Sequence, residues 1–94
     1  MDNKKVEEFG KKYDDLMIKL RKKDAEKYSR VAMYEPEKRT ENEQKMNDQM
    51  TAIVKNHNEM KNLKSDHADD ILKDSERRYK ILLELAEKEF GITL

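Results

Sequence analysis

The sequence predicts an all-α protein, either a three-helix bundle or a long helical hairpin. Residues of high helix propensity are abundant, apolar residues recur at a period near 3.6, and the 94 residues include two Gly and one Pro. Charged residues make up 45% of the chain and apolar residues 35%, so the expected core is modest. We therefore expect one helical domain over residues 1–94.

Helix 1 is predicted over residues 3–32, with Asp2 as its N-terminal cap. Its apolar face is interrupted by Asp24. The residues on this face are Val6, Phe9, Tyr13, Leu16, Met17, Leu20, Tyr28 and Val31. A loop is predicted over residues 34–40, because Pro36 disfavours helical geometry at the residue before it and has no N–H to donate.

Helix 2 is predicted over residues 41–64. Thr40 and Glu43 have the spacing of a capping box, in which each side chain accepts the other residue's backbone N–H. The apolar face of this helix is narrow and rich in methionine: Met46, Met50, Ile53, Val54, His57, Met60 and Leu63. His57 is expected to be either a half-buried histidine or an element that sets pairing register or pH response.

Helix 3 is predicted over residues 67–90, with Ser65 or Asp66 as its cap. Gly91 is expected to follow the helix end, with Ile92 folding back onto the last turn. The break between helices 2 and 3 contains neither Gly nor Pro. The alternative is therefore one continuous helix over residues 41–90, roughly 75 Å long at 1.5 Å per residue.

Helix 3 carries apolar residues over a wide arc, and we expect more than one neighbour to cover it. The residues of this arc are Ala68, Ile71, Leu72, Tyr79, Leu82, Leu83, Leu85, Ala86 and Phe90. Either helix 1 covers the side that helix 2 leaves open, or a second copy of the chain does, through coiled-coil-like packing. We expect a homo-oligomer and an unidentified protein partner. The predicted interaction surface is Ile71, Leu72, Tyr79, Leu82, Leu83, Leu85 and Phe90, together with Met46, Met50, His57 and Met60.

The sequence contains little that catalysis would need. Cysteine is absent, and His57 and His67 each lack another His or a Glu at the three- or four-residue spacing of helical metal sites. No glycine-rich loop could hold a phosphate group. We therefore expect a non-enzymatic interaction module, acting as an adaptor, inhibitor or assembly factor, without cofactor or metal. The chain also lacks an apolar run of membrane-spanning length, so we expect no membrane partner and a cytoplasmic location.

Two other functions remain open from the sequence. A basic flank on helix 1 could contact a nucleic-acid backbone, although a formal net charge of zero does not favour nucleic acid as a partner. The flank consists of Lys12, Lys19, Lys23, Lys27 and Arg30. The other alternative is a protein that sequesters a small ligand in a pocket between subunits.

Overall fold

The computed structural model describes residues 3–27, 39–62 and 67–93. These residues form three helices, α1 (Asn3–Lys27), α2 (Glu41–Asn62) and α3 (His67–Phe90), and the helices pack against one another. The all-α, three-helix prediction is therefore confirmed. The alternative of one continuous helix over residues 41–90 is wrong, because α2 and α3 lie side by side.

Several predicted boundaries fall outside the described residues. These are the cap at Asp2, the end of helix 1 at residue 32, most of the loop over residues 34–40 and the break at residues 65–66. The predicted end of helix 2 at residue 64 is also outside them, and the described part of α2 ends at Asn62.

The predicted capping box at the start of α2 is confirmed. The Glu43 backbone N–H donates to Thr40 Oγ1 at 3.1 Å, and the Thr40 backbone N–H donates to Glu43 Oε1 at 2.9 Å. Each side chain thus satisfies a backbone donor that has no partner within the helix.

The predicted end of α3 is also confirmed. Gly91 has a φ of 65°, a conformation that glycine adopts without a Cβ penalty. Its N–H donates to the Glu87 carbonyl at 2.9 Å, and the Ile92 N–H donates to the Ala86 carbonyl at 3.5 Å. Ile92 is buried, because this turn folds its side chain back onto the core.

The helices run up, down and up. Residue pairs joined between α2 and α3 proceed in opposite directions along the two helices, from Asn42 with Glu89 to Asn56 with Asp74. The α1 and α3 helices are parallel. Phe9 packs edge-on against Tyr79, near the start of α1, and the Lys27 ammonium lies over the ring of Phe90, near the end.

The core lies where α1 and α2 both pack on α3. Leu16, Ile53 and Leu82, one from each helix, are almost completely buried. The wide apolar arc of α3 is therefore covered by two helices of the same chain, one of the two arrangements that the sequence allowed.

Candidate interaction groove

An open groove of about 560 Å³ separates α1 from α2. We call it the α1/α2 groove. Its walls extend from Tyr13 to Asp24 on α1 and from Glu43 to Val54 on α2, roughly 16 Å along each helix at 1.5 Å per residue. The residues that line it are Tyr13, Met17, Leu20, Arg21, Asp24, Arg39, Glu43, Met46, Asn47, Met50, Thr51, Val54 and Phe90.

The lining is apolar in its depth. Met17, Leu20 and Met46 are buried there, and Met50 packs against them while remaining partly exposed. Methionine side chains are flexible and polarizable, and they adapt to irregular surfaces. The groove therefore offers an apolar floor that can adjust to the shape of whatever binds it.

One end of the groove is closed by ion pairs. Arg39, just before α2, donates to both carboxylate oxygens of Asp24, at 2.6 and 3.2 Å. The Lys27 ammonium lies 3.2 Å from Glu43 Oε1. A two-point arginine–carboxylate contact fixes orientation as well as distance. These contacts hold the C-terminal end of α1 beside the N-terminal end of α2.

Glu43 has two structural roles at this closed end. Its side chain is only 2% exposed, and the same Oε1 atom completes the capping box and receives Lys27. The Arg39 guanidinium lies 3.9 Å from the other oxygen, Oε2. Burial of a carboxylate is tolerated when cations and backbone donors surround it. Glu43 therefore both caps the N-terminus of α2 and binds the C-terminal end of α1.

The α1 wall carries a phenol in its neutral form. Burial raises the pKa of the Tyr13 hydroxyl above its usual value of 10.0, with a smaller opposing effect from Arg21. A tyrosine hydroxyl is protonated at neutral pH even without this shift, so Tyr13 can act as a hydrogen-bond donor there.

The rim on α2 is uncharged. Asn47, Thr51 and Val54 are exposed there, and Val54 retains 50% of its accessible surface. In a chain with 45% charged residues, an uncharged exposed rim beside an apolar floor is an unusual combination. Depletion of charge is characteristic of the centre of protein interfaces.

The residues of the predicted interaction surface lie mainly inside the fold. The structure buries Met46, Met60, Leu72, Tyr79 and Leu82 in the shared core. It leaves Met50, His57, Ile71, Leu83, Leu85 and Phe90 partly buried. Met46, Met50 and Phe90 line the α1/α2 groove, so that part of the predicted surface does reach a solvent-accessible face.

The predicted basic flank makes contacts within the chain. The Lys12 ammonium lies 4.7 Å from the centre of the Tyr79 ring, and Lys19 donates to the Thr93 carbonyl at 3.2 Å. Lys23 lies 3.9 Å from Glu26, in addition to the Lys27 contacts above. Arg30 is outside the described residues. The four lysines of the flank therefore all make contacts within their own chain.

Sequence reasoning missed several groove residues, among them Arg21, Arg39, Asn47 and Thr51. Apolar periodicity cannot find them because they are polar. The structure shows that the exposed, uncharged positions of α2 recur at alternating spacings of three and four, a pattern that depends on knowing which residues are exposed.

Two further observations concern the described residues. None of their helices combines the length and the apolar content that crossing a membrane requires. A group of three or more His, Cys, Asp or Glu side chains placed to hold a metal ion is not found among them.

Comparison with known proteins gives no relative. No protein-family model matches the chain, and no curated protein or solved structure matches it.

Proposed function

We propose that this chain is a non-enzymatic helical interaction module, an adaptor, inhibitor or assembly factor, and that its α1/α2 groove receives a helix. The observation that carries the proposal is the groove itself. It has an apolar floor, an uncharged rim on α2 and a length of about three helical turns.

The arrangement of the three helices supports this mode of binding. Because α1 and α2 both pack on α3 but are separated by the groove, a fourth helix placed in it would complete a four-helix bundle. Helix-in-groove recognition uses apolar residues at helical spacing on the incoming helix and an apolar groove on the receptor.

The groove also leaves apolar surface for a ligand to cover. Val54 is half exposed, and Met50 is partly exposed. Complete burial of a side chain of this size is worth about 1.5–3 kcal/mol, so covering the exposed half of Val54 contributes roughly 1 kcal/mol. Burial of Met50 and the edges of the floor adds to this.

A small ligand is the second candidate, because 560 Å³ lies within the range of about 300–1,000 Å³ typical of ligand pockets. Such pockets, however, enclose roughly 70–90% of their ligand. The α1/α2 groove is open to solvent along one side, which suits a helix better. For nucleic acid, the contacts made by Lys12 and Lys19 within the chain reduce the support.

The test uses a peptide display library of 22-residue amphipathic helices, in which the residues of the apolar face are varied. The library is selected against the chain, and each recovered helix is then measured against two variants. Val54→Lys places a charge on the groove rim, whereas Ile18→Lys makes a matched change at an exposed aliphatic residue that does not line the groove.

We expect recovered helices to lose at least about tenfold in affinity for Val54→Lys, since a cation would be desolvated against an apolar face. The same helices should bind Ile18→Lys as they bind the unmodified chain. Recovery of no helix, or equal losses for the two variants, would overturn the proposal.

A further inference from the structure

Five exposed, uncharged residues form a line along α2. We call this line the neutral stripe: Gln44, Asn47, Thr51, Val54 and Asn58. Its central residues, Asn47, Thr51 and Val54, form the rim of the α1/α2 groove, and Asn58 lies beyond the end of the groove at Val54. The charged residues of α2 at the neighbouring positions, such as Asp48 and Lys55, lie to one side of it.

The stripe has the spacing of a helix-pairing seam. Its members are separated by three, four, three and four residues, which is the 3.5-residue repeat of coiled-coil contact positions. Asparagine at such positions specifies register and the number of helices, at a cost in stability. An apolar stripe would join the core, whereas this polar one stays exposed on a single chain.

We propose that the helix that binds along the α1/α2 groove is α2 of a second copy of this chain, which packs with its neutral stripe against the α2 rim, antiparallel to the first about a two-fold axis near Thr51. This inference rests on the proposed function and names its ligand. Two-fold pairing requires a surface that complements itself. With Thr51 facing its counterpart, Gln44 lies opposite Asn58 of the second copy, so that side-chain amides meet at both ends.

Charge supports the antiparallel direction. In this pairing Asp48 lies beside Lys55 of the second copy, and the two-fold axis creates this pair twice. Among the described residues, neither Asp48 nor Lys55 has an ion-pair partner within its own chain.

The first experiment exchanges these charges. Light scattering on a sizing column at a series of concentrations gives the dissociation constant of the dimer, with the 11.3 kDa monomer as reference. Asp48→Lys and Lys55→Asp should each raise this constant on the order of tenfold, because two attractive pairs become repulsive. The double variant Asp48→Lys/Lys55→Asp should return to within about threefold of the unmodified chain.

The second experiment reads the direction of pairing. The chain has no cysteine, so only the introduced thiols can form disulfides. A mixture of Gln44→Cys and Asn58→Cys should oxidise mainly to the mixed disulfide, because antiparallel α2 helices bring these positions within bonding range. Lys45→Cys, exposed but outside the neutral stripe, should form no comparable dimer.

The outcomes separate this inference from the proposed function. A chain that stays monomeric up to about 1 mM, a double variant that does not recover, or disulfides that form only between like positions would each overturn the second-copy assignment. If helices that discriminate Val54→Lys from Ile18→Lys are nevertheless recovered, the groove still binds a helix, but from another protein. If none is recovered either, both proposals fail.

Discussion

The α2/α3 contact and the α1/α2 contact differ in how they are closed. Between α2 and α3, buried side chains and inter-helix hydrogen bonds alternate from one end to the other. Asn42 donates to Glu89 at 3.0 Å, Arg78 donates to Gln49 at 3.0 Å, and Asn56 donates to Asp74 at 2.9 Å. This contact is therefore joined by hydrogen bonds near both of its ends and at its middle.

The α1/α2 contact is held by ion pairs at its Asp24–Arg39 end and opens into the groove from there as far as Tyr13 and Val54. Its floor is apolar, and its α2 rim offers amides, a hydroxyl and Val54 to solvent. This difference between the two contacts indicates which surface of the protein is available to bind a ligand. The α2/α3 contact, which is packed along its length, stabilises the fold. The α1/α2 contact, which is held by ion pairs at one end, leaves a surface for a ligand.

The largest predicted effect is a difference in the free energy of unfolding between a variant in the core and a variant in the α1/α2 groove. Leu82→Ala should lower the free energy of unfolding by about 2–5 kcal/mol, because the side chain is fully buried and its removal leaves a cavity. Val54→Ala, on the groove rim, should change it by less than about 0.5 kcal/mol when the chain is monomeric. Urea denaturation followed by circular dichroism measures both.

The two variants serve as controls for each other, since both truncate an aliphatic side chain. Comparable losses for Leu82→Ala and Val54→Ala would mean that the groove is closed in solution. The comparison between the two contacts would then be wrong.

A smaller effect concerns pH and the polar groups of the α2/α3 contact. Hydrogen bonds from Arg78, Arg77 and Asn56 hold the pKa of the Asp74 carboxyl well below its ordinary value of 3.8. The folded state thus favours ionised Asp74, and this stabilisation is present above about pH 4. It is lost as the pH falls below 3.8 toward the folded-state pKa.

Asp74→Asn should therefore flatten the dependence of stability on pH between about pH 4 and pH 2, and cost at most about 1 kcal/mol at neutral pH, because the carboxyl is partly exposed. Urea midpoints measured across this range test it. If Asp74→Asn leaves the dependence of stability on pH unchanged, other carboxyl groups are responsible for that dependence.

The local features of the fold could be predicted from sequence because they depend on neighbours in the chain. The Thr40–Glu43 capping box and the turn at Gly91 each involve residues within a few positions of one another. The three helices followed from apolar periodicity in the same way.

The candidate site could not be predicted because it depends on which helix faces meet. The wide arc of α3 suggested an interaction surface there, yet α1 and α2 cover much of it, as the complete burial of Leu82 shows. Apolar periodicity does not single out Asn47 or Thr51, because both side chains are polar. Their lack of charge is informative only once the fold places them beside Met50.

The most direct test uses the methionine methyl groups as probes of both contacts in one sample. Met50 lies in the α1/α2 groove, whereas Met60 is buried in the core and does not line the groove. The chain is labelled with carbon-13 at its methionine methyls, the signals are assigned from Met→Leu variants, and spectra are recorded from roughly 10 μM to 1 mM. If the groove takes a second copy of α2, the Met50 signal shifts with concentration and the Met60 signal stays in place. A Met50 signal that does not move, or a Met60 signal that moves as far, would contradict the account.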